Sequence, residues 1–150
     1  MTHTRSPLVE ALGLQPHVEG GWFRETWRTA AQIPQTALAP SYGGARAAAT
    51  AVYFLLHPGE VSKWHAVASD ELWIWQAGSP LLLTYGGSGD SPEEAESIVL
   101  GMDVAGGQRP QALVPGGVWQ TARPLGGEPV LATCIVAPGF DFADFRMAKG

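Results

Sequence analysis

Two residues in the middle of the chain have the types and spacing expected for acid–base chemistry. His65 and Val67 are two positions apart, so their side chains point to the same face of an extended strand. After a short turn, Glu71 and Trp73 share one face of the next strand by the same period of two. If both faces turn toward the inside of a closed sheet, an imidazole and a carboxyl meet there. Such a pair can exchange protons with a substrate near neutral pH.

Gln120 and Trp73 are the candidate ligand-binding residues of the same interior. The segment Pro115-Gly-Gly-Val-Trp-Gln120 contains a turn that would deliver the Gln120 amide to His65 and Glu71. An amide both donates and accepts hydrogen bonds, so we expect Gln120 to orient a substrate. The Trp73 ring offers an aromatic wall of the kind that binds sugar rings and bases. Core filling is the alternative role of Trp73.

Arg24 is the candidate group for holding a negatively charged substrate. It lies on the predicted strand Trp22–Arg28, where alternation places Arg24 and Arg28 on one face and Phe23 and Glu25 on the other. An arginine can hold a carboxylate or phosphate through two parallel hydrogen bonds. The alternative is a solvated face with ion pairs to a neighbouring strand.

A metal site in this interior would have to use His65, Glu71 and Gln120. Two of these are good ligands, but an amide oxygen binds transition metals weakly. Open catalytic sites normally have three protein ligands. We therefore expect no cofactor, and a divalent metal at these three residues is the alternative. A further alternative is that His65 and Glu71 form a buried structural pair, although unpaired charges inside an apolar barrel are costly.

Length and composition exclude several classes of function. The 150 residues predict one domain, residues 1–150. The net charge is −5 and the basic residues are scattered, whereas nucleic-acid binding needs clustered positive charge. The sequence has no apolar run long enough for a membrane span and no signal peptide at its start. Cys134, the only cysteine, excludes an internal disulfide and is expected to be a buried thiol. We expect a cytoplasmic protein that binds a small molecule and neither nucleic acid nor membrane.

Short apolar runs separated by glycine and proline predict an all-β fold. One short helix is expected at the start, capped by Ser6, with Pro7 at its first position and Gly13 at its end. The rest alternates between strands and turns, which is typical of a sandwich or barrel. Residues 33–47 and 90–96 are expected to be loops. The predicted strands are Trp22–Arg28, Ala48–Leu56, Val61–Val67, Glu71–Gln76, Pro80–Tyr85, Ser97–Leu100, Gln111–Val114, Val118–Ala122 and Pro129–Val136.

The candidate residues fall in two segments that resemble the two cupin motifs. Residues 59–78 fit the spacing of the first motif: glycine, five residues, His-x-His, three residues, glutamate, six residues, glycine. Val67 replaces the second histidine of that motif. Residues 115–120 resemble the second motif, Pro-x-Gly-x-x-His, with Gln120 in place of the histidine. The resemblance implies a double-stranded β-helix, the RmlC-like jelly roll. In metal-binding cupins three histidines and the glutamate hold the ion, and here only His65 and Glu71 match.

Further motifs resemble a narrower group, the cupin-5 family (DUF985). The resemblance covers most of the chain and departs from the family pattern at Val18, where proline is usual, and at Ile74, which is often histidine. It implies a jelly-roll subunit that is usually a homodimer, and no secure activity. The matching segments are residues 14–28, 50–56, 62–65, 69–73, 77–81, 107–111, 114–120 and 137–145.

Three functions compete on this basis, and whether the protein is an enzyme stays open among them. The first is a metal-independent isomerase, epimerase or lyase acting on a small, polar, anionic metabolite such as a sugar or nucleotide-sugar. In it His65 and Glu71 move protons, while Gln120, Arg24 and Trp73 hold the substrate. The second is a metabolite-binding cupin without catalysis, and the third is a metal-dependent oxygenase or isomerase. Fold alone cannot choose among them.

Overall fold

A computed structural model describes residues 4–149 as two antiparallel sheets packed face to face, with one short helix. The helix, α1, is Pro7–Ala11, and 3₁₀ turns span Gln35–Ala37 and Phe142–Asp144. The strands in chain order are β1 (Gln15–Pro16), β2 (Trp22–Arg28), β3 (Gln32–Ile33), β4 (Arg46–Ala47), β5 (Thr50–Leu56), β6 (Ser62–Val67), β7 (Asp70–Ala77), β8 (Leu81–Tyr85), β9 (Glu96–Leu100), β10 (Gln111–Val114), β11 (Gln120–Pro124), β12 (Val130–Ala137) and β13 (Phe145–Met147).

All of these strands except β3 and β4 belong to the two packed sheets, and β3 and β4 form a small sheet of their own. The larger sheet has the order β1-β2-β5-β12-β7-β10, and the smaller one has the order β13-β6-β11-β8-β9. Strands β6 and β7 are consecutive in sequence yet lie in different sheets. The short turn between them therefore brings the predicted acid–base residues to facing walls of the same interior.

Strand register identifies the inward face of the larger sheet. Trp73 on β7 pairs with Ala112 on one side and Cys134 on the other. Cys134 pairs with Val52, which pairs with Glu25 on β2. Paired residues point to the same face, so these five form one row across the sheet. The row lies against the second sheet, and Trp73, Ala112 and Cys134 belong to the buried core.

The packed core fills only one end of the sandwich. Leu81, Leu83 and Leu100 are almost fully buried there. At the boundary of this core, the rings of Phe54 and Trp73 meet edge to face, with centroids 5.7 Å apart. Such an arrangement is favourable for aromatic pairs. Beyond these two rings the space between the sheets stays open.

Most of the predicted elements are confirmed. Helix α1 begins after Ser6, whose hydroxyl accepts a hydrogen bond from the Leu8 N–H. Each of the nine predicted strands is present, with ends shifted by up to two residues. The loop predicted for residues 33–47 was wrong at its ends, because the short strands β3 and β4 pair with each other. Strands β1 and β13 were not predicted.

In the described part of the chain, no helix has the length and apolar character needed to cross a membrane. The homodimer expected from the family resemblance stays a prediction, because the structure contains one chain.

Candidate functional site

A cavity of about 500 Å³ occupies the open end of the sandwich. Titratable side chains line its inner part, and aromatic and aliphatic side chains form most of the remaining wall. The lining residues are His17, Glu19, Phe23, Glu25, Arg28, Val52, Phe54, His65, Val67, Glu71, Trp73, Cys134, Val136, Phe140, Asp141, Phe142 and Phe145. His65, Glu71 and Trp73 therefore lie where the strand parity predicted, on the wall of one cavity.

His65 is held in one orientation by its own strand and by the C-terminal strand. It is 3% exposed, and its ring stacks on Phe145 with centroids 5.6 Å apart. Its Nδ1 lies 2.7 Å from the Lys63 carbonyl oxygen. A carbonyl only accepts hydrogen bonds, so the neutral ring carries its proton on Nδ1 and leaves Nε2 unprotonated. Burial lowers the pKa of His65, and the nearby Glu71 opposes that shift.

Gln120 fixes the orientation of Glu71 and Trp73 from behind the cavity wall. The Trp73 indole N–H donates to Gln120 Oε1 at 2.8 Å, and the Gln120 amide donates to Glu71 Oε1 at 2.7 Å. The indole is only a donor, so the amide cannot be flipped without losing both bonds. Gln120 is fully buried and does not line the cavity. The structure thus replaces its predicted contact with substrate by a supporting role.

The same hydrogen bonds determine where Glu71 keeps its proton. Burial raises the pKa of Glu71, and the Glu19 carboxyl raises it further, while His65 and the hydrogen bonds from Gln120 and Cys134 lower it. Burial is the largest of these effects. Because Oε1 accepts from Gln120, the proton of the neutral acid resides on Oε2. Glu71 is therefore a candidate proton donor and His65 Nε2 a candidate proton acceptor, on facing walls of the cavity.

Glu19 and His17 reach the cavity through a tight turn between β1 and β2. The His17 N–H donates to the Gly21 carbonyl at 2.9 Å, and the Lys63 N–H donates to the Glu19 carbonyl at 2.8 Å. Gly20, which follows Glu19 in this turn, has a φ of 107°. A Cβ there would lie 2.2 Å from the Val61 carbonyl oxygen. Only glycine fits this position. The turn points the Glu19 carboxyl inward, where it is 6% exposed.

Glu19 contacts both imidazoles of the cavity. Its Oε1 lies 3.3 Å from His17 Nδ1, and its Oε2 lies 3.4 Å from His65 Nδ1 and accepts a hydrogen bond from the Ser62 hydroxyl. Burial raises the pKa of Glu19 to about 8, although the Ser62 hydrogen bond lowers it. Burial also lowers the pKa of His17 to about 4, assisted by repulsion from His65. At pH 7 the Glu19 acid and the His17 ring are therefore mostly neutral.

Replacing Glu19 with glutamine is expected to change how stability depends on pH. In the unfolded chain a glutamate ionises above its usual pKa of 4.5, whereas folded Glu19 holds its proton up to about 8. Between these values the unfolded state has released a proton that the folded state retains, so rising pH favours unfolding. E19Q removes this penalty, and its stability relative to the wild type should rise by roughly 2–4 kcal/mol from pH 5 to pH 8.

Urea unfolding at unit intervals from pH 5 to pH 9 measures this difference. The control is E94Q, in which the same change is made on an exposed loop and removes no buried acid. A constant difference between E19Q and the wild type across the range would show that Glu19 ionises normally in the folded protein.

The structure does not bring Arg24 to the cavity. Its guanidinium lies outside the sandwich, where Nη1 donates to the Leu12 carbonyl at 3.3 Å. Arg28 lines the cavity instead. The reason is a β-bulge between Glu25 and Trp27, which adds one residue to β2 and reverses the alternation that follows. Arg28 thus joins the inward face of Phe23 and Glu25, so the predicted shared face of Arg24 and Arg28 was wrong.

The segment after β12 closes one side of the cavity. Phe140, Phe142 and Phe145 contact one another there, with ring centroids 4.9–6.1 Å apart. Arg46 ties this segment to the sandwich, because its Nε and Nη2 each donate to the Asp144 carboxylate at 2.8 Å. Both side chains are about 5% exposed. The segment is therefore an integral wall of the cavity.

The residues at the two cupin histidine positions do not fit a metal site. Val67 lines the cavity but has no donor atom. The Gln120 oxygen already accepts from Trp73, and its amide faces Glu71. Among residues 4–149, no three His, Cys, Asp or Glu side chains are arranged to hold a metal ion. Two good ligands are fewer than a divalent cation needs for tight binding.

Purified protein is accordingly expected to carry less than about a tenth of an equivalent of any transition metal, because His65 and Glu71 are the only good ligands at the motif positions. Incubation with EDTA should leave the melting temperature unchanged to within about 1 °C, because a ligand that does not bind the native state cannot stabilise it. Elemental analysis and thermal melts test both points. Stoichiometric metal whose removal lowers the melting temperature would contradict the assignment.

Comparison with known proteins places this geometry in a family. The profile described as Cupin superfamily (DUF985) matches residues 6–148. The chain belongs to this family. The uncharacterized protein YML079W of Saccharomyces cerevisiae is 31% identical over 95% of this chain and 74% of its own length. The expectation drawn from the motifs of the sequence is thus confirmed.

Solved structures confirm the cupin fold. A hypothetical protein from Leishmania major is 31% identical, with a TM-score of 0.80 over 93% of this chain and 84% of its own. Protein SO0799 from Shewanella oneidensis is 36% identical, with a TM-score of 0.78 over 93% and 81%. An uncharacterized protein from Klebsiella pneumoniae with a double-stranded β-helix domain is 18% identical, with a TM-score of 0.58 over 99% and 100%. This last likeness concerns the fold alone.

Neither departure of this cupin from the family pattern touches the cavity. Ile74 alternates with Trp73 on β7 and lies on the outer face, opposite Thr133 and Gln111. Val18 is 61% exposed in the turn before β2.

Gly78, the last glycine of the first cupin motif, has a φ of 97°. A Cβ there would lie 1.8 Å from a backbone oxygen, so a side chain does not fit.

Five polar residues of the cavity were not predicted: His17, Glu19, Glu25, Arg28 and Asp141. The Glu19-Gly-Gly block was a usable signal for the first two, because consecutive glycines mark a tight turn beside an acidic residue. Glu25 and Arg28 were assigned to strand faces, but nothing in the sequence indicates the bulge that places Arg28 inside.

Proposed function

We propose that this cupin is a metal-independent isomerase, epimerase or lyase that moves protons on a small polar metabolite such as a sugar derivative. One observation carries the proposal: an imidazole and a carboxyl, those of His65 and Glu71, line the same cavity. General acids and bases need this pairing, and each proton transfer contributes about 10²–10⁴-fold to a rate. Fold supports the proposal only weakly, because cupins host many chemistries.

The hydrogen bonds around each group favour these roles. His65 Nδ1–H is bound to the Lys63 carbonyl, so Nε2 is the atom available to accept a proton from substrate. Glu71 Oε1 is bound to Gln120, so Oε2 is the atom available to donate one. Burial lowers the pKa of His65 and raises that of Glu71. Both shifts favour an unprotonated base and a protonated acid.

Arg28 replaces Arg24 as the proposed anchor for an anionic group. Its Nη2 and Nε donate to Glu25, and Nη2 also donates to the Phe140 carbonyl. Among the described residues Nη1 has no partner, so it can bind a carboxylate or phosphate.

The distance from Arg28 to Glu71 follows from strand pairing. Arg28 pairs with Thr50, Thr50 with Val136, and Val136 with Glu71. Three strand steps separate the Arg28 and Glu71 backbones by roughly 14 Å.

The cavity has the size and walls expected for such a substrate. Its 500 Å³ lies within the range of roughly 300–1,000 Å³ usual for small-molecule sites. Trp73 and the phenylalanines of the C-terminal segment offer faces for the apolar side of a sugar ring. Buried polar groups lie at one end and the more exposed Glu25, Arg28 and Asp141 elsewhere on the wall, so two parts of a ligand can be oriented.

Hydrogen exchange in heavy water tests the proposal whatever product the reaction forms. Compounds that raise the melting temperature are first selected from a panel of sugars, sugar phosphates and hydroxy acids. Each is then incubated with enzyme in D₂O, and mass spectrometry measures deuterium gained at carbon. The wild type is expected to catalyse exchange, and H65Q and E71Q are each expected to slow it by about 10²–10⁴-fold.

The matched control is H57Q, because His57 is also buried and hydrogen-bonded but does not line the cavity. It should exchange at the wild-type rate. Unchanged exchange in both H65Q and E71Q would refute the proposal. If compounds bind tightly but none gains deuterium at carbon, the result would instead support binding without catalysis. The mostly apolar walls of the cavity favour this second candidate.

A further inference from the structure

His17 and His65 line the same cavity as opposite tautomers of the neutral imidazole ring. The His65 ring is a donor at Nδ1, toward the Lys63 carbonyl, which leaves an unprotonated Nε2. The His17 ring is an acceptor at Nδ1, because the Glu19 backbone N–H donates to it at 3.1 Å. A backbone N–H only donates, so the neutral His17 ring must carry its proton on Nε2.

Both Nε2 atoms face the cavity. Each ring lines it, and neither Nε2 has a hydrogen-bond partner among the described residues. No buried side-chain nitrogen or oxygen in that part of the chain lacks a partner, so both atoms are open to the cavity and not sealed in the core. The rings are also neighbours: both contact Glu19, and both lie beside Phe145, with centroid distances of 6.0 and 5.6 Å.

We propose that His17 is a further catalytic residue, whose Nε2–H holds the carbonyl oxygen of the substrate while His65 Nε2 removes a proton from the adjacent carbon. This inference rests on the proposed function and narrows the substrate to a carbonyl compound with an adjacent C–H bond. An α-hydroxy aldehyde or ketone belongs to this class.

The proton transfer balances without an external reagent. The C–H bond breaks, an N–H bond forms at His65 Nε2, and the electron pair forms a C=C bond to the carbonyl carbon. The carbonyl π electrons move to the oxygen, where the hydrogen bond from His17 stabilises the growing negative charge. Glu71 Oε2–H then returns a proton to carbon, and the two side chains exchange protons with solvent. The substrate is neither oxidised nor reduced overall.

A neutral histidine suits this role because it stays a hydrogen-bond donor without adding charge. Burial and repulsion from His65 lower the pKa of His17 to about 4, so His17 stays neutral at pH 7. Glu19 supports both tautomers: its backbone N–H binds His17, and its Oε2 lies on the protonated side of His65.

Nitrogen NMR of protein labelled with ¹⁵N-histidine tests the tautomers directly. Single His→Gln variants assign the signals of the four histidines. At pH 7 we expect an unprotonated Nε2 for His65 and a protonated Nε2 for His17. His57 is an internal reference for the His65 tautomer, because its Nε2 accepts a hydrogen bond from the Ser6 N–H. A proton on Nδ1 of His17, or a doubly protonated His17 ring at pH 7, would overturn the inference.

Acetohydroxamate, which has a carbonyl oxygen beside an acidic N–O–H group, probes the proposed contacts. In the presence of EDTA the wild type is expected to bind it, with shifts in both Nε2 signals. H17L should weaken binding at least about tenfold, equivalent to about 1.4 kcal/mol. H17Q keeps an N–H donor and should lose less. An amide proton–nitrogen spectrum verifies that each variant is folded. No binding by the wild type, or equal binding by H17L, would count against His17.

These results separate the two proposals. Deuterium exchange that depends on His65, together with the wrong His17 tautomer, removes the inference and leaves the proposed function intact. Opposite tautomers without any exchange remove the proposed function.

Discussion

Replacing Gln120 with leucine is expected to destabilise the protein by about 2–5 kcal/mol, because two buried polar groups lose their partner together. The Trp73 indole N–H and Glu71 Oε1 both bind the Gln120 amide, which is fully buried. Each unsatisfied buried group costs about 1–3 kcal/mol. Leucine is similar in volume, so a cavity adds little. Loss of the amide also frees Glu71 to rotate, and deuterium exchange should fall with stability.

Urea unfolding at pH 7 measures the effect, and Q76L is the matched control. Gln76 is exposed on β7 in the facing sheet, and the same substitution there should change stability by no more than about 0.5 kcal/mol. Equal stabilities for Q120L and Q76L would show that water binds the Trp73 indole N–H and Glu71 Oε1 in place of the amide. The hydrogen bonds of Gln120 would then contribute nothing to stability.

Removing the Asp144 carboxylate is expected to cost about 2–4 kcal/mol and to loosen the aromatic wall of the cavity. The D144A variant removes the two hydrogen bonds from the buried Arg46 guanidinium to Asp144 and leaves the one to the Ala45 carbonyl. An uncompensated buried charge is strongly destabilising, although a site close to the molecular surface lets water relieve part of the cost. Phe145 follows Asp144 directly and stacks on His65, so the change reaches the candidate base.

The neighbouring acid provides the control for this variant. Asp141 also faces Arg46, but at 3.9 Å and with 47% of its side chain exposed. D141A loses this weak ion pair and the hydrogen bond from the Ala143 N–H, and it should cost about 1 kcal/mol, less than D144A. Thermal melts compare the two variants, and NMR of the His65 ring reports on the wall. If D141A and D144A were equally stable, the Arg46 pair would not hold the segment in place.

The central part of the site was predictable because the register shifts of β6 and β7 lie outside residues 65–67 and 71–73. His65 on β6 and Glu71 on β7 follow the period of two, and only a short turn separates them. Parity alone therefore places both on inward faces once the two strands belong to facing sheets. Trp73 follows from Glu71 by the same reasoning.

The remainder depends on features that alternation does not encode. The bulge in β2 inverts the face of Arg28, and a single inserted residue leaves no mark in the hydrophobic pattern. The network around Gln120 depends on the pairing of β11 with β6, a contact between distant segments. Strand β13 has only three residues, and its pairing with β6 likewise arises from tertiary structure. The sequence therefore did not indicate that Arg28, and not Arg24, lines the cavity, or that Gln120 lies behind its wall.

Because Cys134 is buried, the rate at which its thiol is labelled reports how often the protein opens transiently. The thiol is 2% exposed on β12, and burial raises its pKa well above the usual value. Only a thiolate reacts readily with disulfide reagents, so the closed sandwich is inert to them. Because the chain has no other cysteine and Cys134 lines the cavity, the labelling rate reports openings that admit a reagent to the inner part of the cavity. Ligands that fill the cavity should slow the labelling of Cys134. The more strongly a ligand stabilises the closed cavity, the slower the labelling should be.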